Sequence, residues 1–314
     1  MAPESLYDVI ILGSGPAGLT AAIYTSRAKF KTLVVGGAVW GGQLMFTMEV
    51  ENFPGFPEGI LGPDLMDGMR KQAKRFGAKV ILENMTSVDF SSKPFKVSIG
   101  DQSFGGRAVI IATGASPQWL GFDSETRLRG SGVSVCATCD AAFFADKKAV
   151  VVGGGDTAME EALTVSKFAR EVIVIHRRNK LRASKILQER VFDNRKISFI
   201  FDSVILDVFG QDKVEAVKIK NAKTGEESQL ATDAVFVAIG YKPNTDLLKG
   251  QVELNERGYI TTHGDTKTSV EGVFVAGDVH DYTYRQAVTA AGAGCKAAID
   301  AEKYLYTHPQ EKKS

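Results

Sequence analysis

Cysteine is scarce in this chain, with three in 314 residues, too few to staple a small secreted domain by disulfides. No apolar run reaches the roughly 18 residues that a membrane span requires. Neither sign of charge dominates: 38 Lys and Arg stand against 37 Asp and Glu, a formal net charge of +1. That balance argues against a global electrostatic grip on nucleic acid or on an anionic membrane, so neither partner is expected. The opening residues, MAPESLYDVIILGSG, pass from a few polar positions straight into a strand-like run without the succession of regions that marks a signal peptide. A cytoplasmic location is expected.

Glycine, by contrast, is abundant. The chain has 32 of them, about one residue in ten against an average near 7%, so many backbone positions need positive φ or a close approach. The length is about twice a ~150-residue domain, which predicts two domains.

The chain also repeats itself. Residues 8–36, DVIILGSGPAGLTAAIYTSRAKFKTLVVG, superpose on residues 148–176, KAVVVGGGDTAMEEALTVSKFAREVIVIH, at a constant offset of 140. In each an apolar run meets a glycine turn, Gly13, Gly15 and Gly18 or Gly153, Gly155 and Ala158. A helix-period segment and a second apolar run follow. This is a βαβ unit occurring twice. Its first glycine makes the tight turn, its second lets backbone approach a pyrophosphate, and the third position packs helix on strand, with the helix N-terminus facing the phosphates. One such turn is a weak signal; two, each with correct flanks, predict two dinucleotide sites.

Three further strands end in glycine: RAVIIATG (107–114, closing on Thr113 and Gly114), DAVFVAIG (233–240) and GVFVAGDV (272–279). They read as returning strands that close over the cofactors, and Gly277-Asp278 can set a carboxylate on a cofactor hydroxyl and an N–H on its phosphate.

The repeats differ where a ribose-binding acid usually sits, after the second strand. The second repeat has His176-Arg177-Arg178 there, with Arg182 beyond, a set suited to a 2′-phosphate, so its cofactor is expected to be NADPH. The first has Gly36-Gly37, with no acid and no cation. A domain binding NADPH needs an acceptor for its hydride, and a flavin in the other domain is the economical expectation.

Cys136-Ala137-Thr138-Cys139-Asp140 lies just upstream of the second repeat. A zinc site needs four ligands, and neither Cys295 nor His176, His263, His280 and His308 offers matching spacing, so no metal is expected. The Cys-x-x-Cys spacing suits a redox dithiol, with Asp140 placed to supply or remove a proton. Cys295, in AGAGCKAA, reads as a buried structural thiol.

GSGPAGLTAA, GGQL, VENFPGF, ATG, CATCD, GGGDTAMEEA, HRR with a following Arg, GYKPNT, GVFVAGDV and YRQAVTAAGAGC fall in this order along almost the whole chain. In that ordered set the chain resembles the low-molecular-weight, prokaryote- and plant-type thioredoxin reductases, members of the class II pyridine nucleotide-disulfide oxidoreductases. The resemblance implies FAD contacts at Ser14, Ala17, Gln43, Asn52, Asp278, Arg285, Gln286 and Ala287, besides the glycines, and a homodimer. Two departures stand out: Ala141 where a glycine often follows CATCD, and Gly36-Gly37-Ala38-Val39-Trp40 ahead of GGQL.

With the resemblance, the repeats give an α/β fold of two Rossmann-like domains. The FAD domain is discontinuous, residues 1–116 and 245–314, with an NADPH domain, 117–244, inserted and carrying the dithiol. Turn residues mark both crossings, 115–117 and 242–244, about which the inserted domain is expected to swing. Residues 307–314, THPQEKKS, read as a frayed tail. The implied reaction takes electrons from NADPH through FAD and the Cys136–Cys139 disulfide to thioredoxin. A same-build reductase drawing on ferredoxin or F420, one serving a glutaredoxin-like or peroxiredoxin-linked partner, and a non-catalytic flavin or dinucleotide sensor are the alternatives.

Overall fold

Val9, Ile10, Ile11 and Leu12 are consecutive apolar residues with no polar alternation, the pattern of a strand covered on both faces. In the computed structural model, which describes residues 5–47 and 49–309, all four are fully buried. The strand Ser5–Leu12 lies between two parallel neighbours, Thr32–Val35 and Gln102–Ile111. Residues 1–4 and 310–314, which include most of the expected polar tail, lie outside the described residues.

Seven strands form this sheet, in the order Lys79–Ile81, Thr32–Val35, Ser5–Leu12, Gln102–Ile111, Phe95–Ile99, Ser87–Asp89, with Val273–Val275 also paired to Gln102–Ile111. The ten-residue strand Gln102–Ile111 changes partner along its length. Its first half is antiparallel to Phe95–Ile99, and its last three residues run parallel to Val273–Val275. Alternate residues feed two cores. Ile10, Leu12, Val109 and Ile111 face one; Val9, Ile11, Ala108 and Ile110 face the other, where the helices Pro16–Arg27 and Ala287–Thr307 pack. Those helices meet at small residues: a Cβ on Gly294 would stand 2.1 Å from the Ala17 carbonyl oxygen.

Residues 117–241 form a separate compact unit. Its main sheet has five strands, all parallel, ordered Val133–Ser134, Ala234–Val237, Lys148–Val152, Glu171–Ile175, Ile197–Ile200. The helices Asp156–Ser166 and Lys185–Phe192 supply residues to the core on one face. An antiparallel sheet of Ser203–Phe209, Ala216–Asn221 and Glu227–Ala231 backs the other.

The first unit takes the chain up to Ser116 and resumes at Lys242, three residues before the crossing read from the sequence. Asn244 explains the difference. It accepts from Thr113 Oγ1 at 2.8 Å on its carbonyl, donates from Nδ2 to the Thr113 carbonyl at 2.9 Å and from its amide to the Gly114 carbonyl at 3.0 Å. These bonds hold residues 242–244 to the first unit's returning strand.

Candidate functional site

In both units the sheet order reverses beside the repeat's first strand, and such a switch point opens a crevice at the carboxyl ends of the strands. In the first unit that crevice lies between Leu12 and Ile111. Gly13 turns the chain there at φ +115°, where a Cβ would stand 2.1 Å from the Ala112 carbonyl oxygen. Gly18 has the same constraint, its Cβ position lying 2.1 Å from the Gly13 oxygen. Gly15 is different: nothing stands within 4 Å of its Cβ position. The turn is tight where helix meets strand and open on the side where a ligand's phosphates would lie.

The other sequence-selected residues of this unit lie on several elements. Ser14 is buried, donating from Oγ to the Gly36 carbonyl at 2.9 Å and accepting from the Gly41 amide at 3.0 Å. Its hydroxyl ties the glycine turn to the segment ahead of GGQL. Ala17 is buried, with its Cβ 3.0 Å from the Cβ position of Gly277. Gln43 is exposed on a short turn where a Cβ on Gly42 would stand 3.3 Å from the Gly15 Cα. Asn52 Nδ2 donates to Gln286 Oε1 at 3.3 Å, joining residues 234 positions apart. Gln286 caps the helix that starts at Ala287, and Arg285 before it has φ +49°. Thr113 and Gly114 (φ +68°) are held by Asn244. Burial lifts the Asp278 carboxyl to about 6, Arg285 opposing that rise and Asp281 adding to it.

Gly36-Gly37 contributes no charged side chain. The Gly36 amide donates to the Ile81 carbonyl at 2.7 Å, Gly37 has φ +79°, and the Ala38 amide donates to Asn84 Oδ1 at 2.9 Å. Asn84 escapes sequence reasoning because it stands 46 residues from its partner.

The second unit repeats the turn. Gly153 has φ +151°, with its Cβ position 2.4 Å from the Ala238 oxygen and 2.7 Å from Ala158 Cβ, while Gly155 again faces open space. The sequence groups His176 with the arginines; the structure separates them. His176 is buried, its ring fills the place where a Gly154 Cβ would be, and its Nε2 lies 3.1 Å from the Lys180 carbonyl. Burial depresses its pKa, the Lys180 bond opposing the change. It supports the loop 177–182 from beneath. Arg177, Arg178 and Arg182 are exposed, and among the described residues none forms an ion pair with a carboxylate. The loop is fixed to the turn by the Gly154 carbonyl, which accepts from the amides of Arg182 at 2.7 Å and Ala183 at 3.2 Å.

Cys136 and Cys139 form a disulfide, with Cα atoms 5.3 Å apart, at the head of the short helix Ala137–Asp140. Both cysteines are half-buried. Glu161 of the helix Asp156–Ser166 accepts from the Ala137 amide at 2.5 Å, and the Tyr241 hydroxyl donates to the Val135 carbonyl at 2.9 Å. Ser134 Oγ accepts from the Cys136 amide at 3.0 Å and donates to Asp140 Oδ2. Burial raises the Asp140 pKa and the Ser134 bond opposes it. Ser134 and Glu161 were not singled out by sequence reasoning, since a lone serine and a helical glutamate carry no periodic signal. Ala141 needs no glycine's freedom: it is buried with φ −61° and ψ −30°.

Cys295 differs from expectation. It is half-buried rather than buried, and its hydrogen bond to Tyr24 raises the phenol's pKa. The contact lies between the helices Pro16–Arg27 and Ala287–Thr307, whose small residues leave the thiol partly open. Among the described residues no cluster of His, Cys, Asp and Glu could hold a metal.

Comparison with known proteins agrees with this geometry. Residues 7–294 match the family model described as pyridine nucleotide-disulphide oxidoreductase. The chain is 53% identical over 303 residues to a thioredoxin reductase of Mycolicibacterium smegmatis, covering 96% of this chain and 97% of that one. It is 49% identical over 314 residues to a bifunctional thioredoxin reductase/thioredoxin of Mycobacterium leprae, covering 99% of this chain and 68% of that protein. Among solved structures, a thioredoxin reductase from Giardia duodenalis superposes with a TM-score of 0.91 at 44% identity, covering 96% of this chain and 100% of that one.

Proposed function

The chain belongs to the pyridine nucleotide-disulphide oxidoreductase family and, within it, to the low-molecular-weight NADPH-dependent thioredoxin reductases, and from that premise we propose how its residues divide the work. The enzyme carries electrons from NADPH through FAD and the Cys136–Cys139 disulfide to oxidised thioredoxin. The unit built around Gly13 holds FAD, and the unit 117–241 holds NADPH.

The open side of each glycine turn supports this assignment, since pyrophosphate oxygens need backbone N–H groups with no side chain in the way. Gly13, Ser14, Gly15, Ala17 and Gly18 shape the flavin turn, with Ser14 and Ala17 acting through packing and backbone. Gln43, Asn52, Thr113, Gly114, Gly277, Arg285, Gln286 and Ala287 border it. Asp278 offers a carboxylate to flavin hydroxyls. On the other side Gly153, Gly155 and Ala158 take the NADPH pyrophosphate, Arg177, Arg178 and Arg182 its 2′-phosphate, and His176 positions their loop.

The observation that carries the dithiol reading is the placement of the Cys136–Cys139 disulfide beside Asp140, whose carboxyl burial keeps protonated to higher pH than usual. Opening the disulfide leaves sulfurs that need protons, and closing it removes them; Asp140 can do both. The dithiol then reduces thioredoxin by exchange. The Mycobacterium leprae relative is named for joining both partners in one chain, which supports thioredoxin as the substrate. Because nicotinamide, disulfide and partner must each be served in turn, the unit 117–241 is proposed to swing about the crossings near 116 and 242.

The test is NADPH oxidation with thioredoxins, glutaredoxins and the synthetic disulfide DTNB, with NADH and reduced ferredoxin as competing donors. Turnover of thioredoxin by NADPH supports the reading; turnover only with ferredoxin, or only with glutaredoxin, overturns it. Among the described residues no helix is long and apolar enough to cross a membrane. A cytoplasmic homodimer without nucleic-acid or membrane partners is proposed, and light scattering on the purified holoenzyme checks its mass.

A further inference from the structure

The Ser134 hydroxyl is bonded on both sides within the dithiol turn. It accepts the Cys136 amide at 3.0 Å and donates to Asp140 Oδ2, so a sulfur-bearing residue and a carboxylic acid share one oxygen. Ser134 is buried at the end of the strand Val133–Ser134, which pairs with Ala234–Val237. The oxygen is thus anchored to the sheet, while the turn it holds undergoes chemistry. We infer that Ser134 is a positioning residue for the dithiol reaction, holding the Asp140 carboxylate and the Cys136 backbone in one register so that the acid meets the sulfurs in each half of the cycle.

The proton balance shows why a donor is needed there. Disulfide reduction breaks the S–S bond with the electron pair that NADPH supplies through FAD. The two sulfurs take up two protons in becoming thiols; Asp140 delivers one and ionises, and solvent supplies the other. In the exchange with thioredoxin one sulfur returns its proton to Asp140 as it bonds to a sulfur of the partner's disulfide, whose other sulfur leaves and takes a proton from solvent. The second enzyme sulfur then displaces the partner from the mixed disulfide, re-forming Cys136–Cys139 and passing its proton to the departing sulfur. Asp140 therefore alternates between acid and carboxylate. A hydroxyl that donates to Oδ2 stabilises the carboxylate, which burial disfavours. The opposed effects of burial and Ser134 on the Asp140 pKa agree with this. Among the described residues, the ionisable side chains bonded to the backbone of the turn are Glu161 from the helix Asp156–Ser166, which accepts from the Ala137 amide, and Tyr241, which donates to the Val135 carbonyl.

The inference rests on Asp140 as the proton carrier, and the experiment separates the two claims. The pH profile of kcat/KM for thioredoxin is measured on the holoenzyme for the parent, Ser134→Ala, Ser134→Thr, Asp140→Asn and the double variant. NADPH-driven flavin reduction serves as a control for an intact nucleotide site. Loss of the donor should move the Asp140-dependent limb to higher pH by about one unit, a tenfold change in proton affinity. Thr should restore it, and in the Asp140→Asn background Ser134→Ala should shift nothing. A limb that stays in place in Ser134→Ala but vanishes in Asp140→Asn overturns the role of Ser134 and leaves that of Asp140. A limb that survives in Asp140→Asn overturns both. Ser134→Gly, which also lacks the donor, gives the same readout if the Ala variant does not fold.

Discussion

The Arg182 amide donates to the Gly154 carbonyl at 2.7 Å, which fastens the arginine loop to the glycine turn of the second repeat. Backbone bonds, with buried His176 beneath, hold this loop in shape. The arginine side chains are left to solvent or ligand, so recognition and folding are separable there.

Replacing Arg177 and Arg178 together by Ala should therefore leave thermal stability near that of the parent while removing NADPH preference. Each charge-assisted bond is worth roughly 1.5–3 kcal/mol, so the NADPH to NADH ratio of kcat/KM should fall on the order of 10²-fold or more. An unchanged ratio would put 2′-phosphate recognition elsewhere.

Cys136→Ser or Cys139→Ser should abolish thioredoxin reduction and spare NADPH-driven flavin reduction, because hydride transfer precedes dithiol chemistry. Cys295→Ser should retain most activity, since that thiol lies in the first unit, bonded to Tyr24. Stopped-flow absorbance separates the half-reactions. Thioredoxin turnover at the parent rate in Cys139→Ser would contradict the dithiol path.

Asp278 gives a pH prediction. Its carboxyl rises from 3.8 to about 6 on folding, chiefly through burial. The protonated form is favoured in the fold, so the contribution to stability is fully present below about pH 4 and is lost as pH rises through about 6. Two units correspond to about 3 kcal/mol as an upper bound. Flavin-free Asp278→Asn should accordingly melt above the flavin-free parent at pH 7.5, and the advantage should vanish near pH 4. The same variant should retain less FAD. An equal melting difference at both pH values would show that the carboxyl is not the cause.

The βαβ units were legible because their constraints are local and periodic. Gly13, Gly18 and Gly153 are required by backbone contacts within the turn or with the adjoining returning strand, and the 140-residue offset exposed them. The supports of the site were not legible. The Asn244 side chain reaches the Thr113 carbonyl across 131 residues, Asn84 reaches Ala38 across 46 and Glu161 reaches Ala137 across 24. Each bond joins a polar side chain to a distant backbone group, which no hydrophobic period marks; GYKPNT holds Asn244 and GGGDTAMEEA holds Glu161, but a motif does not say which group such a side chain meets. The burial of His176 was not legible either, since its position beside two arginines says nothing of which way the ring turns.

The glycine turn of the first repeat allows cofactor space to be told from packing space by adding one carbon. At Gly18 a Cβ would stand 2.1 Å from the Gly13 carbonyl oxygen, a backbone atom that cannot yield without opening the turn. Gly18→Ala should lower the melting temperature even without flavin. At Gly15 φ is −72° and nothing lies within 4 Å of the Cβ position, so alanine fits the polypeptide. Alanine also restricts the unfolded chain, an effect worth about 0.4–1 kcal/mol in favour of folding. Flavin-free Gly15→Ala should thus melt at or slightly above the parent, yet its methyl would occupy the side of the turn assigned to pyrophosphate, and purified protein should retain far less FAD. Calorimetry of the flavin-free proteins and absorbance after reconstitution measure the two effects independently. Full FAD retention in Gly15→Ala would show that the open side of this turn is not where the pyrophosphate lies.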